Sequence, residues 1–236
     1  MATIVLVHGH MHGAWCWEKI VPLLEARGHT VVAFDLPARG ADTSAHDTAS
    51  LEQFVAAAER VVRAQAEPVV LVGHSAGGTV LSEIAERMPD RVSRLIYVAA
   101  MLLPDGESIF SAFVTKAPMD PALAVDGASA VKTEDHLVRR RFYNTSTDED
   151  AARAIEKLCA EPIPPMTQPV RITPERYGRV KRSFIQTRFD NAVPLDAQAA
   201  MCAVLPCDPV IVMDTDHSPF LCAPDEFAAH IHALAN

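Results

Sequence analysis

Val69-Val70-Leu71-Val72 runs straight into Gly73-His74-Ser75-Ala76-Gly77, and a further glycine, Gly78, follows. The first four residues read as a strand buried on both faces. The next five form a G-x-S-x-G pattern, and a helical pattern over Ala76–Arg87 runs out of it, ending before Pro89. A serine on so sharp a strand-to-helix turn must adopt strained backbone angles, with small neighbours to allow close approach. The turn pushes the Ser75 hydroxyl out at the carboxyl end of the strand. It also sets the Ala76 N–H at a helix N-terminus, where it faces developing negative charge. Ser75 is therefore the candidate nucleophile.

Five further apolar runs resemble the one before the turn: Thr3–Val7, Thr30–Phe34, Arg94–Ala99, Lys181–Gln186 and Pro209–Met213. Between them lie helical patterns. Trp15–Arg27 is stopped by Gly28. Ser50 to Gln65 opens with Ser50 and Gln53 at capping-box spacing and carries the stripe Leu51, Phe54, Val55, Ala58, Val61, Val62. Leu195–Ala203 and Ala223–Ala235 complete the set. Strand and helix in alternation predict an α/β domain with a mainly parallel sheet of about six strands flanked by helices. The alternation breaks between about Met101 and Tyr177. Helix signals there fall near Ile109–Val114, Lys132–Phe142 and Asp148–Cys159. A stretch this long between two strands is more than a loop. It reads as a small helical cap, residues 101–177, inserted in a core made of residues 1–100 and 178–236.

A serine hydroxyl needs a base. Of the ten histidines, His217 is the best placed, after the last strand and before the last helix. His74 adjoins the nucleophile but is expected to point away along the turn, and His230 and His232 fall on the final helix. The base needs an acid to set its tautomer. Asp190 follows the fifth strand in Arg188-Phe189-Asp190-Asn191-Ala192-Val193-Pro194. Asp196 falls into the next helix and Asp208 precedes its strand, at the wrong end. Asp214 and Asp216 crowd the histidine. The first strand ends in Val7-His8-Gly9-His10-Met11-His12-Gly13, a loop placed to offer a second oxyanion donor, the His10 N–H. Gly9 is expected to leave room above the serine, and His12 to bond the loop's backbone. The alternating His8, His10 and His12 are not followed by acidic or cysteine ligands at motif spacing, so no metal is expected.

Composition sets the limits. The chain of 236 residues is 49% hydrophobic and 22% charged, long enough for one domain with a full core. A net charge of -9 repels a phosphate backbone or an anionic membrane, so neither nucleic acid nor membrane is an expected partner. Thr3–Val7 is too short for a signal peptide or membrane span. Five cysteines, odd in number and irregular in spacing, suggest a reducing compartment and a cytoplasmic protein.

Together these segments resemble the α/β-hydrolase fold, and within it the plant-type methylesterases and hydroxynitrile lyases with their bacterial esterase relatives. The resemblance is carried by Val7-His8-Gly9 through His12-Gly13-Ala14-Trp15-Cys16-Trp17, by Asp35-Leu36-Pro37-Ala38-Arg39-Gly40, by Gly73–Gly78, by Leu103-Pro104-Asp105, by Phe142-Tyr143-Asn144, by Asp190–Pro194 and by Asp216-His217. It implies the chain order Ser75, Asp190, His217 for the triad, and the N–H groups of His10 and Ala76 for the oxyanion hole. Lyases of this branch look to have threonine at the position of Gly9 and lysine at that of Ser218, and a tryptophan in the cap. This chain has none of these, its two tryptophans being Trp15 and Trp17. The resemblance thus implies a carboxylic ester hydrolase with no cofactor, a small-molecule ester as its partner, and is compatible with a homodimer. A non-catalytic small-ligand receptor, or a hydroxynitrile lyase or lactonase, is the alternative on the same machinery. Met101, Leu102, Phe110, Phe113, Phe142 and Tyr143 are the apolar candidates for the cap's pocket.

Overall fold

A computed structural model describes residues 1–42, 44–112 and 120–236. Six strands form one parallel sheet: β1 (Thr3–Val7), β2 (Thr30–Ala33), β3 (Val69–His74), β4 (Val92–Val98), β8 (Arg182–Thr187) and β9 (Val210–Met213). Their order is β2-β1-β3-β4-β8-β9, and every pair runs parallel. All six lie on the apolar runs of the sequence.

The reason the runs are continuous is visible in the two cores. Val5, Leu71, Leu95 and Phe184 pack on one face, against helices α2 (Leu51–Arg63) and α3 (Gly77–Arg87). Ile4, Val70, Ile96 and Ile185 pack on the other, against α1 (Ile20–Glu25) and α9 (Pro224–Ala235). Side chains alternate across a strand, so a sheet covered on both sides needs apolar residues at every position. Helix α2 buries Leu51, Phe54, Val55, Ala58 and Val62 from its predicted stripe. Each large apolar side chain so buried contributes roughly 1.5–3 kcal/mol. Ser50 caps the helix, its hydroxyl accepting from Gln53 N at 3.1 Å. The expected helix over Trp15–Arg27 is split into a 3-10 turn (Ala14–Trp17) and α1. Trp17 is buried there against Phe220 and Phe227.

The segment between β4 and β8 holds the expected helices: α4 (Ile109–Ala112 among the described residues), then α5 (Asp135–Phe142) and α6 (Asp148–Lys157), both shorter than expected, with the short α7 (Pro164–Thr167). Phe113 and Val114 lie outside the described residues. This segment, expected to be helical, is not purely so. Strands β5 (Leu123–Asp126), β6 (Ser129–Lys132) and β7 (Glu161–Pro162) form a three-stranded antiparallel sheet. Lys132, expected to open a helix, ends β6. The turn between β5 and β6 carries Gly127 at φ +57°, and Asp-Gly between alternating apolar residues favours such a hairpin.

The chain moves outward from β1 to β2, then crosses back to place β3 on the other side of β1. At such a switch point the loops after neighbouring strands diverge and leave a crevice at their carboxyl ends. The loops after β1 and β3 are those carrying His10 and Ser75.

Candidate active site

Ser75 has φ +52°, a left-handed conformation costly for a residue with a side chain. Its surroundings hold it there. Ser75 N donates to Val98 O at 3.1 Å, while Ser75 O accepts from Gly78 N at 3.0 Å and Met101 N at 2.9 Å. The turn packs so closely on the first strand that a Cβ at Gly77 would lie 2.8 Å from His8 O. A Cβ at Gly9 would lie 2.7 Å from both Ser75 Cβ and His74 Nδ1. Glycine is required at position 9 by contact with the turn, rather than by open room above the serine as the sequence suggested.

His217 follows β9, and its Nδ1 lies 2.7 Å from Asp190 Oδ2, with both side chains buried. Asp190 sits in the turn after β8. Its Oδ1 accepts from Ala192 N and Val193 N, each at 2.7 Å, and its Oδ2 also accepts from Thr187 Oγ1 at 2.8 Å. Gln198 Nε2 lies 3.4 Å from the same oxygen and donates to Val193 O at 2.7 Å. Four groups therefore fix the carboxylate while one oxygen faces the imidazole. Of the other aspartates, Asp196 is exposed on α8 (Leu195–Val204), where its Oδ1 accepts from Ala197 N. Asp214 pairs with Arg188 at the surface, and Asp208 lies at the opposite end of β9. Asp216 is buried but bonds elsewhere: Oδ2 accepts from Thr145 N at 2.8 Å and Ser146 N at 3.0 Å, and Oδ1 from Ser218 N at 2.9 Å.

His74 does not point away from the site. Its ring packs against His217 with centroids 4.5 Å apart, and its Nε2 donates to His217 O at 2.8 Å. It supports the loop that carries His217. In the loop after β1, His8 Nδ1 donates to Gly9 O at 3.0 Å and its Nε2 accepts from Leu36 N at 3.1 Å. His12 Nδ1 donates to His10 O at 2.7 Å and its Nε2 accepts from Tyr143 Oη at 2.8 Å. Both imidazoles thus spend both nitrogens on protein groups. Burial lowers the pKa of His8 and of His12 to about 3 and pushes those of His10 and His74 well below the usual range, so this cluster is neutral.

Ser75, Ala76 and His10 line one cavity of about 400 Å³ between the sheet and the inserted segment. Met101, Phe110 and Phe142 line it as expected. Leu102 and Tyr143 are buried in packing instead. Phe113 is outside the described residues. The sequence also missed Gln198, a buried amide in a helix whose other polar side chain, Asp196, is exposed in the first turn; an amide among alanines was the available signal.

A buried parallel sheet, a strained serine turn at its switch point and a histidine–aspartate pair beside it are features of a hydrolase fold. The sequence matches the alpha/beta hydrolase family over residues 4–230. It is 34% identical to methylesterase 2 of Arabidopsis thaliana, over 98% of this chain and 95% of that protein. It is 33% identical to methylesterase 1 of the same plant, with the same coverage. Among solved structures, polyneuridine aldehyde esterase superposes with a TM-score of 0.89 at 26% identity, over the whole of both chains. A methylesterase from Arabidopsis superposes with 0.85 at 26% identity, over 99% of this chain and 98% of that one. The chain belongs to the alpha/beta hydrolase family, in the branch that holds the plant methylesterases.

Proposed function

We propose that Ser75, His217 and Asp190 are the catalytic triad through which this chain hydrolyses carboxylic esters. The observation that carries the reading is the buried 2.7 Å bond between His217 Nδ1 and Asp190 Oδ2, with the His217 ring packed on His74, the chain neighbour of a serine held at φ +52°. With Nδ1 committed to Asp190, Nε2 is the nitrogen left to act as base. Ser75 Oγ attacks the ester carbonyl carbon and its proton passes to His217 Nε2. The oxyanion takes hydrogen bonds from the N–H groups of His10 and Ala76, each worth roughly two to three orders of magnitude in rate. The alcohol leaves with the proton held by His217. Water then attacks the acyl-serine, giving up a proton to His217, and the acid departs as Ser75 recovers its proton. Asp190 keeps the imidazole oriented and stabilises its cationic form.

The cavity above the serine, with Met101, Phe110, Ile163 and Val193 in its wall, favours an apolar acyl or alcohol group. Residues 101–177 act as the cap that selects it. The relatives named as methylesterases make methyl esters the first natural class to test. None of these steps calls for a metal or cofactor. The test is release of p-nitrophenol from short and medium acyl esters, wild type beside Ser75→Ala. The expected result is turnover by wild type and a loss of about a millionfold in kcat for the variant, with the fold retained. Equal turnover by the two would overturn the assignment of Ser75, and no turnover by folded wild type would favour a ligand receptor.

A further inference from the structure

Glu161 is a buried residue in β7 whose carboxylate bonds two groups far from it in sequence. Its Oε2 accepts from Met11 N at 2.6 Å, and its Oε1 accepts from Arg39 Nη2. Arg39, equally buried, lies over the Phe54 ring with its guanidinium carbon 5.5 Å from the centroid. Burying a charge is costly unless it is paired, and Arg39 is that pair. Burial raises the Glu161 carboxyl to about 7 even so.

The partner of Glu161 matters more than the charge. Met11 directly follows His10 and holds φ +61°. A side-chain-bearing residue stays in that region only where its surroundings fix it. The peptide joining His10 to Met11 is gripped at both ends: His12 Nδ1 donates to its carbonyl at 2.7 Å, and Glu161 accepts from its N–H at 2.6 Å. The preceding peptide has its carbonyl, Gly9 O, held by His8 Nδ1 at 3.0 Å and His12 N at 3.3 Å. Its N–H is that of His10. Two consecutive peptide planes are thus fixed, and their orientation decides where the His10 N–H is aimed.

We propose that Glu161 is a positioning residue for the oxyanion hole, its carboxylate clamping the His10–Met11 peptide so that the His10 N–H faces the Ser75 site. The proposal rests on the reading of His10 as an oxyanion donor. The alternative role, a mere fastener between inserted segment and core, is separable because a second bond does that fastening: Cys159 N donates to Met11 O at 3.0 Å whatever stands at position 161.

The experiment compares two double variants, each of which removes the charge pair as a whole. Arg39→Met/Glu161→Gln keeps an oxygen that accepts from Met11 N. Arg39→Met/Glu161→Leu does not. Hydrolysis of p-nitrophenyl butyrate, thermal melting and labelling of Ser75 by a fluorophosphonate are measured for both. The leucine variant is expected to show kcat about ten- to a hundredfold below the glutamine variant, below the full loss of an oxyanion donor, with KM within about threefold. Should the leucine variant not fold, Glu161→Asp takes its place, since it keeps the charge beside Arg39 but withdraws the oxygen from Met11. Equal kcat in variants still labelled at Ser75 overturns the role of Glu161 and leaves the triad reading standing, as does a loss confined to melting temperature and KM. Wild type that hydrolyses the ester without labelling at Ser75 overturns the triad reading and this proposal with it.

Discussion

The loop after β8 and the loop after β9 each bring a buried aspartate next to His217, and the two carboxylates do different work. Asp190 takes its two backbone donors on Oδ1, which leaves Oδ2 for the Thr187 hydroxyl and the His217 imidazole. Asp216, adjacent to His217 in sequence, turns away from the ring. Its oxygens take the N–H groups of Thr145, Ser146 and Ser218, the Ser146 hydroxyl at 3.1 Å, and the Cys222 thiol at 3.4 Å. Thr145 and Ser146 lie between α5 and α6, so Asp216 ties the inserted segment to the core. Burial and nearness to a histidine do not make a triad acid. What decides is whether the local backbone donors leave an oxygen for the imidazole.

Substitutions at the two positions break or sharpen that contrast. Asp190→Asn is expected to lower kcat by roughly three to four orders of magnitude, because an amide cannot hold the reactive tautomer of His217. Steady-state ester hydrolysis measures it, and a loss under tenfold would return the role to another aspartate. Gly9→Ala tests the opposite wall of the site. Its Cβ would meet Ser75 Cβ and His74 Nδ1 at 2.7 Å, so the serine turn or the oxyanion loop must shift. A shift of this size is expected to cost about a hundredfold in kcat. Unchanged kcat would mean the turn yields without moving the serine. Asp216→Asn is expected to keep kcat within about tenfold of wild type. It replaces one acceptor oxygen by a donor facing other donors, which costs roughly 1–3 kcal/mol of stability. That lowers the melting temperature by about 2–4 °C per kcal/mol in a domain of this size. A calorimetric scan reads it, and an unchanged melting point would remove Asp216 from the anchoring role.

The core was legible because its signals are local. A sheet packed on both faces imposes continuous apolar runs, and each of the six strands lies on one. The serine turn was legible for the same reason, since a strained turn needs its glycines beside it in the chain. The inserted segment was read less well. The Asp126-Gly127 turn carried a hairpin signal, but the alanines around it weaken the β pattern, and the helix expected from Lys132 ran over the end of β6. The long-range bonds of Glu161 and Asp216 could not be read from sequence. Their partners stand 150 and 71 residues away, and no spacing rule connects such distances. Asp190 and Asp216 share the right end of the sheet, and only the direction of the backbone donors around them separates the two.

The central claim is tested most directly by the rate of covalent labelling at Ser75 by a fluorophosphonate, in wild type, Asp190→Asn and Asp216→Asn, with the labelled peptide identified by mass spectrometry. The account predicts stoichiometric labelling of Ser75 in wild type, a rate near that of wild type in Asp216→Asn, and a rate lower by about a thousandfold or more in Asp190→Asn. Labelling at another residue, or a greater loss in Asp216→Asn than in Asp190→Asn, would contradict it.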